Sequence, residues 1–277
     1  MITQTDHRKN QISALLDQCR IDASVKATMA LVTPSVAEQM LKRNSRNRKI
    51  SEGTIEKYSR DLLAGDWLPN SAGIGFDTDG VLLDGQHRLK MILKTNTSAW
   101  LLVVTGLPPD SQVTIDRQRK RTMYDVLFLS GDTTSREAVQ IATFLARTGT
   151  AQRGNYPSDG EIRASLSNHR DAINEVLSIS GQKRKKGITR AAVMASIVLG
   201  MEKNKSATSS FLTMLIDGGV PNDEPSGRLR KYLVEEGPKC GHGGELQDDD
   251  FRRTNFALNA HFKGQKINRL LKLESLK

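Results

Sequence analysis

Little in this chain of 277 residues points outside an ordinary reducing, aqueous setting. It has two cysteines, Cys19 and Cys240. That is too few for a disulfide framework, and the natural compartment is a reducing cytoplasm. Aromatic residues make up 5% of the chain, which argues against an extended platform for stacking single-stranded bases. No apolar run approaches the roughly 20 residues a membrane span needs. The first residues, Met1 to His7, contain no apolar stretch of the kind a signal peptide requires. The single Cys-x-His at Cys240-Gly241-His242 has no second pair beside it. It reads as part of a glycine-rich loop rather than a zinc site.

Positive charge is in excess. Lys and Arg number 41 against 31 Asp and Glu, a formal net charge of +10 and a pI near 9.7. Such a balance is common in proteins that meet polyanions, so nucleic acid or a nucleotide is the expected partner class. The basic residues gather in runs at 42–49, 117–121 and 183–186. Within them Arg46, Arg48, Lys49, Arg119 and Lys185 are candidate phosphate contacts. Solvated loops would have the same composition. With 37% apolar residues the chain is globular.

Hydrophobic spacing predicts an α+β fold in three parts. Residues 1–34 form an expected helical extension, with Ile12, Leu15, Leu16, Ile21, Val25 and Met29 near helical spacing. Residues 35–130 form a mixed domain with a small sheet. Helices are expected over 35–43 after Thr33-Pro34 and from Ser51 to Gly65. A hairpin turning at Asp79-Gly80 joins the runs at Ile74 and Val81. A short helix follows, then a buried strand from Trp100 to Gly106 and another short strand at Val113-Thr114-Ile115-Asp116. Residues 131–277 are expected to be helical, with a helix over 161–178, an apolar helix from Ala191, and a last helix capped at Asp248-Asp249-Asp250. Paired helices within 158–201 also fit a DNA-reading helix-turn-helix, but packing alone explains the pattern equally well.

The densest chemistry lies in Asp84-Gly85-Gln86-His87-Arg88. An apolar run ends in an acid and a glycine, followed by an amide, an imidazole and a guanidinium. If a helix starts after Gly85, its first N–H groups and its dipole favour an anion, and Arg88 adds a forked donor. The same residues would also serve a plain strand-to-helix connection. Asp116, which opens the second basic cluster, is either a turn residue or an acid facing this motif.

Residues 47–125 resemble the ParB/sulfiredoxin-like superfamily, most closely its phage and prophage branch with an Asp-Gly-Gln-His-Arg core (the ParB-like nuclease domain). Asn47-Arg48-Lys49-Ile50-Ser51, Tyr58, Gly65-Asp66-Trp67, residues 74–76 and 79–89, and Asp116 with Arg121, Thr122 and Asp125 carry the likeness. The resemblance implies a nucleotide-binding domain whose equivalent turn grips ATP in sulfiredoxin and CTP in ParB. Gly85, Gln86, His87, Arg88 and Arg121 would then hold a triphosphate. Gln86 stands where sulfiredoxin has its cysteine, and a carboxamide is no useful nucleophile, so peroxiredoxin repair is excluded. The Glu and second Arg of the ParB turn are also missing, which counts against a CTP-driven sliding clamp. Asp84, His87 and Asp116 are the implied catalytic groups, with Asp84 and Asp116 as ligands for Mg²⁺. The expected activity is that of an NTPase or phosphotransferase in a DNA-related process. A non-catalytic DNA-binding partition or regulatory protein and a metal-dependent nuclease are the alternatives, and a homodimer is compatible with each.

Overall fold

The computed structural model describes residues 25–45, 47–115, 121–149, 156–181, 185, 187–237 and 244–272. Among these are eleven α-helices and one four-stranded sheet, an α+β architecture. The chain divides into two compact units. One contains residues 1–120 and 152–160, the other 121–151 and 161–277.

The first unit carries the sheet, in the order β1-β4-β2-β3. Strand β1 (Lys26–Val32) lies antiparallel to β4 (Ala99–Leu107), from Lys26 opposite Thr105 to Val32 opposite Ala99. Strand β2 (Ile74–Asp77) runs parallel to β4 and forms a hairpin with β3 (Leu82–Asp84). The hairpin turn is built by Asp77, whose buried Oδ1 accepts N–H bonds from Asp79 (2.9 Å) and Val81 (2.8 Å). Helix α1 (Pro34–Leu41) starts at Thr33, whose hydroxyl accepts from Val36 N–H. Helix α2 (Glu52–Ala64) starts at Ser51 and ends at Gly65 in the left-handed region, φ 81°. Helix α3 (Gln86–Thr95) follows β3 directly. Met40, Ile74, Phe76, Leu82, Leu89 and Ile92 fill the core of this unit and are wholly buried.

Two expectations fail here. Residues 26–32 are a strand, not part of a helical extension. Only Ala30 and Val32, two apart, are buried within β1, and Met29 faces solvent. Seven ladder pairs with β4 override the apparent spacing of Val25 and Met29. Residues 1–24 lie outside the described residues. Of the strand expected at 113–116, residues 113–115 form none, and Asp116 lies outside the described residues. Pro108 and Pro109 lead into a 3₁₀ turn (Pro109–Val113), because proline is suited to a first helical turn and not to a ladder.

The second unit is helical: α4 (Met123–Leu129), α5 (Arg136–Gly149), α6 (Asp159–Asn168, whose first two residues belong to the other unit), α7 (Arg170–Ser180), α8 (Ala191–Lys203), α9 (Lys205–Asp217), α10 (Pro225–Lys231) and α11 (Gly244–Phe262). The apolar helix α8 is its centre, with Val193, Ala195, Ile197 and Val198 wholly buried. The single helix expected over 161–178 is two, broken at His169 (φ −109°, ψ 11°). Ser167, Asn168 and His169 are weak helix formers, and the break lets both Leu166 and Ile173 reach the core. Helix α11 begins at Gly244, before the acids expected to cap it. Asp248, Asp249 and Asp250 instead pair with Arg147, Lys272 and Arg190 at 2.5, 2.7 and 2.7 Å. The Cys-x-His of 240–242 lies outside the described residues. Among the described residues no helix is long and apolar enough to cross a membrane.

Candidate functional site

The Asp-Gly-Gln-His-Arg motif lies at the junction of β3 and α3. Gly85 holds φ 100°, a left-handed conformation that L side chains rarely adopt. A Cβ on it would lie 2.3 Å from Ile74 Cδ1. Gly85 brings no capping side chain to α3. The amides of Gln86, His87 and Arg88 open this helix, at the end where partial positive charge collects.

Each side chain of the motif is engaged. Gln86 is buried, accepts from Asn44 Nδ2 at 3.1 Å and donates through Nε2 to the Arg48 carbonyl at 2.7 Å. His87 is buried, and its Nε2 accepts the Ser51 N–H at 3.0 Å. That bond places the proton of a neutral ring on Nδ1. Arg88 donates through Nη1 to the Gly73 carbonyl at 2.6 Å and faces Asp84 Oδ2 at 3.4 Å. Asp84 Oδ1 accepts the Gly85 N–H at 2.6 Å.

These bonds draw the basic segment at 42–49 onto the motif. Asn47 donates to the Asn44 side chain (2.8 Å) and to the Leu82 carbonyl (2.7 Å), while the Arg43 carbonyl accepts Leu82 N–H at 3.0 Å. Ser51 is also the N-cap of α2, its hydroxyl accepting from Thr54 N–H. His87 thus ties the start of α2 to the start of α3, and two helix N-termini meet at one imidazole. Arg48 and Lys49, both exposed, sit in the segment between. The arrangement offers backbone N–H groups, a partial positive field from two helices, and basic side chains: the surroundings of an anion.

A cation fits less well. Asp84 carries the Arg88 guanidinium on one oxygen and the Gly85 N–H on the other. Among the described residues no three His, Cys, Asp or Glu gather.

Of the other candidates, three lie outside the described residues and two belong to the second unit. Asp116 and Arg119 lie outside the described residues, as does Arg46. Arg121 is exposed and belongs to the second unit. Lys185, also there, donates to the Ile216 carbonyl at 3.3 Å, so its charge meets the C-terminal end of α9. Sequence reasoning missed Asn44, Asn47 and Ser51 as supports of the motif. The asparagine-rich character of 44–47 was the available signal, since asparagine is suited to bonding irregular backbone. Gln112 was missed without any signal. Its Nε2 reaches Asn47 Oδ1 at 3.4 Å, a contact made only by the fold.

A carboxyl with a perturbed titration lies on α2. Asp61 is held above the ordinary carboxylate value of 3.8, chiefly by burial, while the Ser158 hydroxyl and the Gly160 N–H bond its charged form. Its Oδ1 is buried without a partner among the described residues.

Comparison with protein-family models, with curated proteins and with solved structures found no match.

Proposed function

We propose that this protein binds a nucleoside triphosphate by its phosphates at the 85–88 turn, and that it hydrolyses the nucleotide or transfers its phosphoryl group in a DNA-related process. The resemblance to the ParB/sulfiredoxin-like superfamily supplies the nucleotide, ATP or CTP. The observation that carries the reading is the meeting of the α2 and α3 N-termini at His87, with Arg48 and Lys49 between them.

In this reading the start of α3 at 86–88 receives the phosphate oxygens, and His87, whose Nε2 is held by the Ser51 N–H, keeps the starts of α2 and α3 together around them. Arg88 is kept straight by Asp84 and the Gly73 carbonyl, which fixes its charge beside the phosphates. Asp84 serves as the partner of Arg88, and the base for an attacking water or hydroxyl is assigned to Asp116. Mg²⁺ would enter with the nucleotide. Gln86 is a scaffold: its carboxamide is spent on Asn44 and Arg48.

The test is a panel of ATP, CTP, GTP and deoxynucleotides with Mg²⁺, measured for binding and hydrolysis with and without duplex DNA. Arg88→Ala and His87→Ala should reduce both. Because these side chains also hold the fold, Lys49→Ala, at an exposed position, should weaken binding while the protein stays folded. Full activity in all three variants would sink the reading.

The exposure of Arg48 and Lys49 also favours a second function, duplex DNA binding without turnover. Salt-dependent DNA binding in a protein that hydrolyses none of the panel would select it. No DNA binding at about 50 mM salt would remove it.

A further inference from the structure

The sheet of the first unit carries apolar side chains on both of its faces. One face is the core, reached by Ala30 and Val32 of β1 and by Leu101 and Val103 of β4. On the opposite face three ladder pairs set Ala27 beside Val104, Met29 beside Leu102, and Leu31 beside Trp100. All six are apolar and none is buried; Met29 is 44% exposed and Trp100 48%. An antiparallel pair with one face in water alternates apolar with polar residues, whereas strands that are apolar on both faces are covered on both. The β1–β4 pair has the second pattern, so its outer face is built for a cover.

The size of the patch selects the cover. From Trp100 to Val104 it runs about 13 Å, across two strands about 5 Å apart. A second copy docked on this patch would bury far less than the roughly 800 Å² per partner of a stable dimer. A single helix, about 10 Å across, fits. The chain carries a matching segment directly before β1. Among residues 1–24, Ile12, Leu15, Leu16 and Cys19 fall at i, i+3, i+4 and i+7, the spacing of one helical face. Gln11, Ser13, Asp17, Gln18 and Arg20 stand between and around them, and Asn10 is a preferred N-cap. A stripe from Ile12 to Cys19 would be about 10 Å long, close to the length of the patch. Residues 20–24 then make a link within the usual range of about 2–6 residues, long enough for a helix to lie back over the strand that follows it.

We propose that residues 11–19 form a helix that covers the outer face of β1 and β4. It runs antiparallel to β1, with Ile12 toward Trp100 and Cys19 toward Val104. The occupant of the face is this chain's own N-terminal segment, and the proposal stands independently of the nucleotide site at 85–88.

The test reads Trp100 in a Trp67→Phe protein, where it is the one tryptophan left. Acrylamide quenching and the emission maximum are measured for the full chain and for the chain lacking residues 1–20. Removal of the segment should raise the quenching and shift the emission to longer wavelength. In the full chain, Leu15→Asp combined with Leu16→Asp should do the same, because a carboxylate cannot enter an apolar contact unpaired. This variant decides the matter even where the shortened chain does not fold. Gln18→Ala, off the stripe, should change neither reading. The proposal is overturned if Trp100 is equally accessible with and without residues 1–20, if the paired Asp substitutions leave it as shielded as before, or if its shielding grows with protein concentration, which would make a second copy the cover.

Discussion

A methyl group on Gly85 would meet Ile74 Cδ1 at 2.3 Å and Ile74 Cα at 3.1 Å, in a backbone conformation of φ 100°. Gly85→Ala is therefore expected to lower stability by about 2–4 kcal/mol, from left-handed strain and the clash together. The urea midpoint should fall accordingly, and an unchanged midpoint would mean that the turn is not formed as described. Asp61 gives a prediction of a different kind. Its proton is bound more tightly in the folded chain than in the unfolded one, because burial penalises the charge. The stability it contributes is present below pH 3.8 and is lost as pH rises through the raised folded value. Asp61→Asn keeps a hydrogen-bond acceptor and removes the charge. Stability measured against pH should then rise relative to wild type on the high-pH side of that window, and identical pH profiles would contradict the assignment.

At the scale of elements, the site depends on a loop that has no regular structure of its own. Asn44, Asn47 and Gln86 tie it to β3 and α3. Gln86→Ala is expected to cost about 1–3 kcal/mol, since a buried amide network loses its centre. Faster hydrogen exchange should be confined first to residues 44–49. Exchange that accelerates uniformly instead would show that Gln86 is merely a core residue. Much of this neighbourhood was legible in the sequence. Thr33-Pro34, Ser51 and Gly65 bound their helices locally, Asp79-Gly80 dictates the hairpin turn, and the apolar run before Gly85 ends where the strand ends. Illegible were the features decided by distant partners. Strand β1 exists because β4 lies beside it, and its short alternating pattern competes with a helical one. The break at His169 answers to core packing on both sides of it. The bonds of Gln86 and His87 join residues more than thirty positions apart, which no local pattern records.

Over the whole molecule the net charge of +10 is divided between two units. If segment 42–49 contacts DNA phosphates, the logarithm of affinity should fall linearly with the logarithm of salt, and Arg48→Ala and Lys49→Ala should each reduce the slope by about 1. A slope unchanged by both would place the DNA contact elsewhere. The central claim, that two helix N-termini joined by His87 hold the phosphates of a nucleotide, is tested most directly by backbone amide signals during titration with ATP, CTP and GTP in the presence of Mg²⁺. The account predicts that at least one triphosphate shifts and protects the amides of Gln86, His87 and Arg88, together with those at the start of α2, and that the corresponding nucleoside does not. If no triphosphate moves those amides, or if the nucleoside moves them equally, the claim is contradicted.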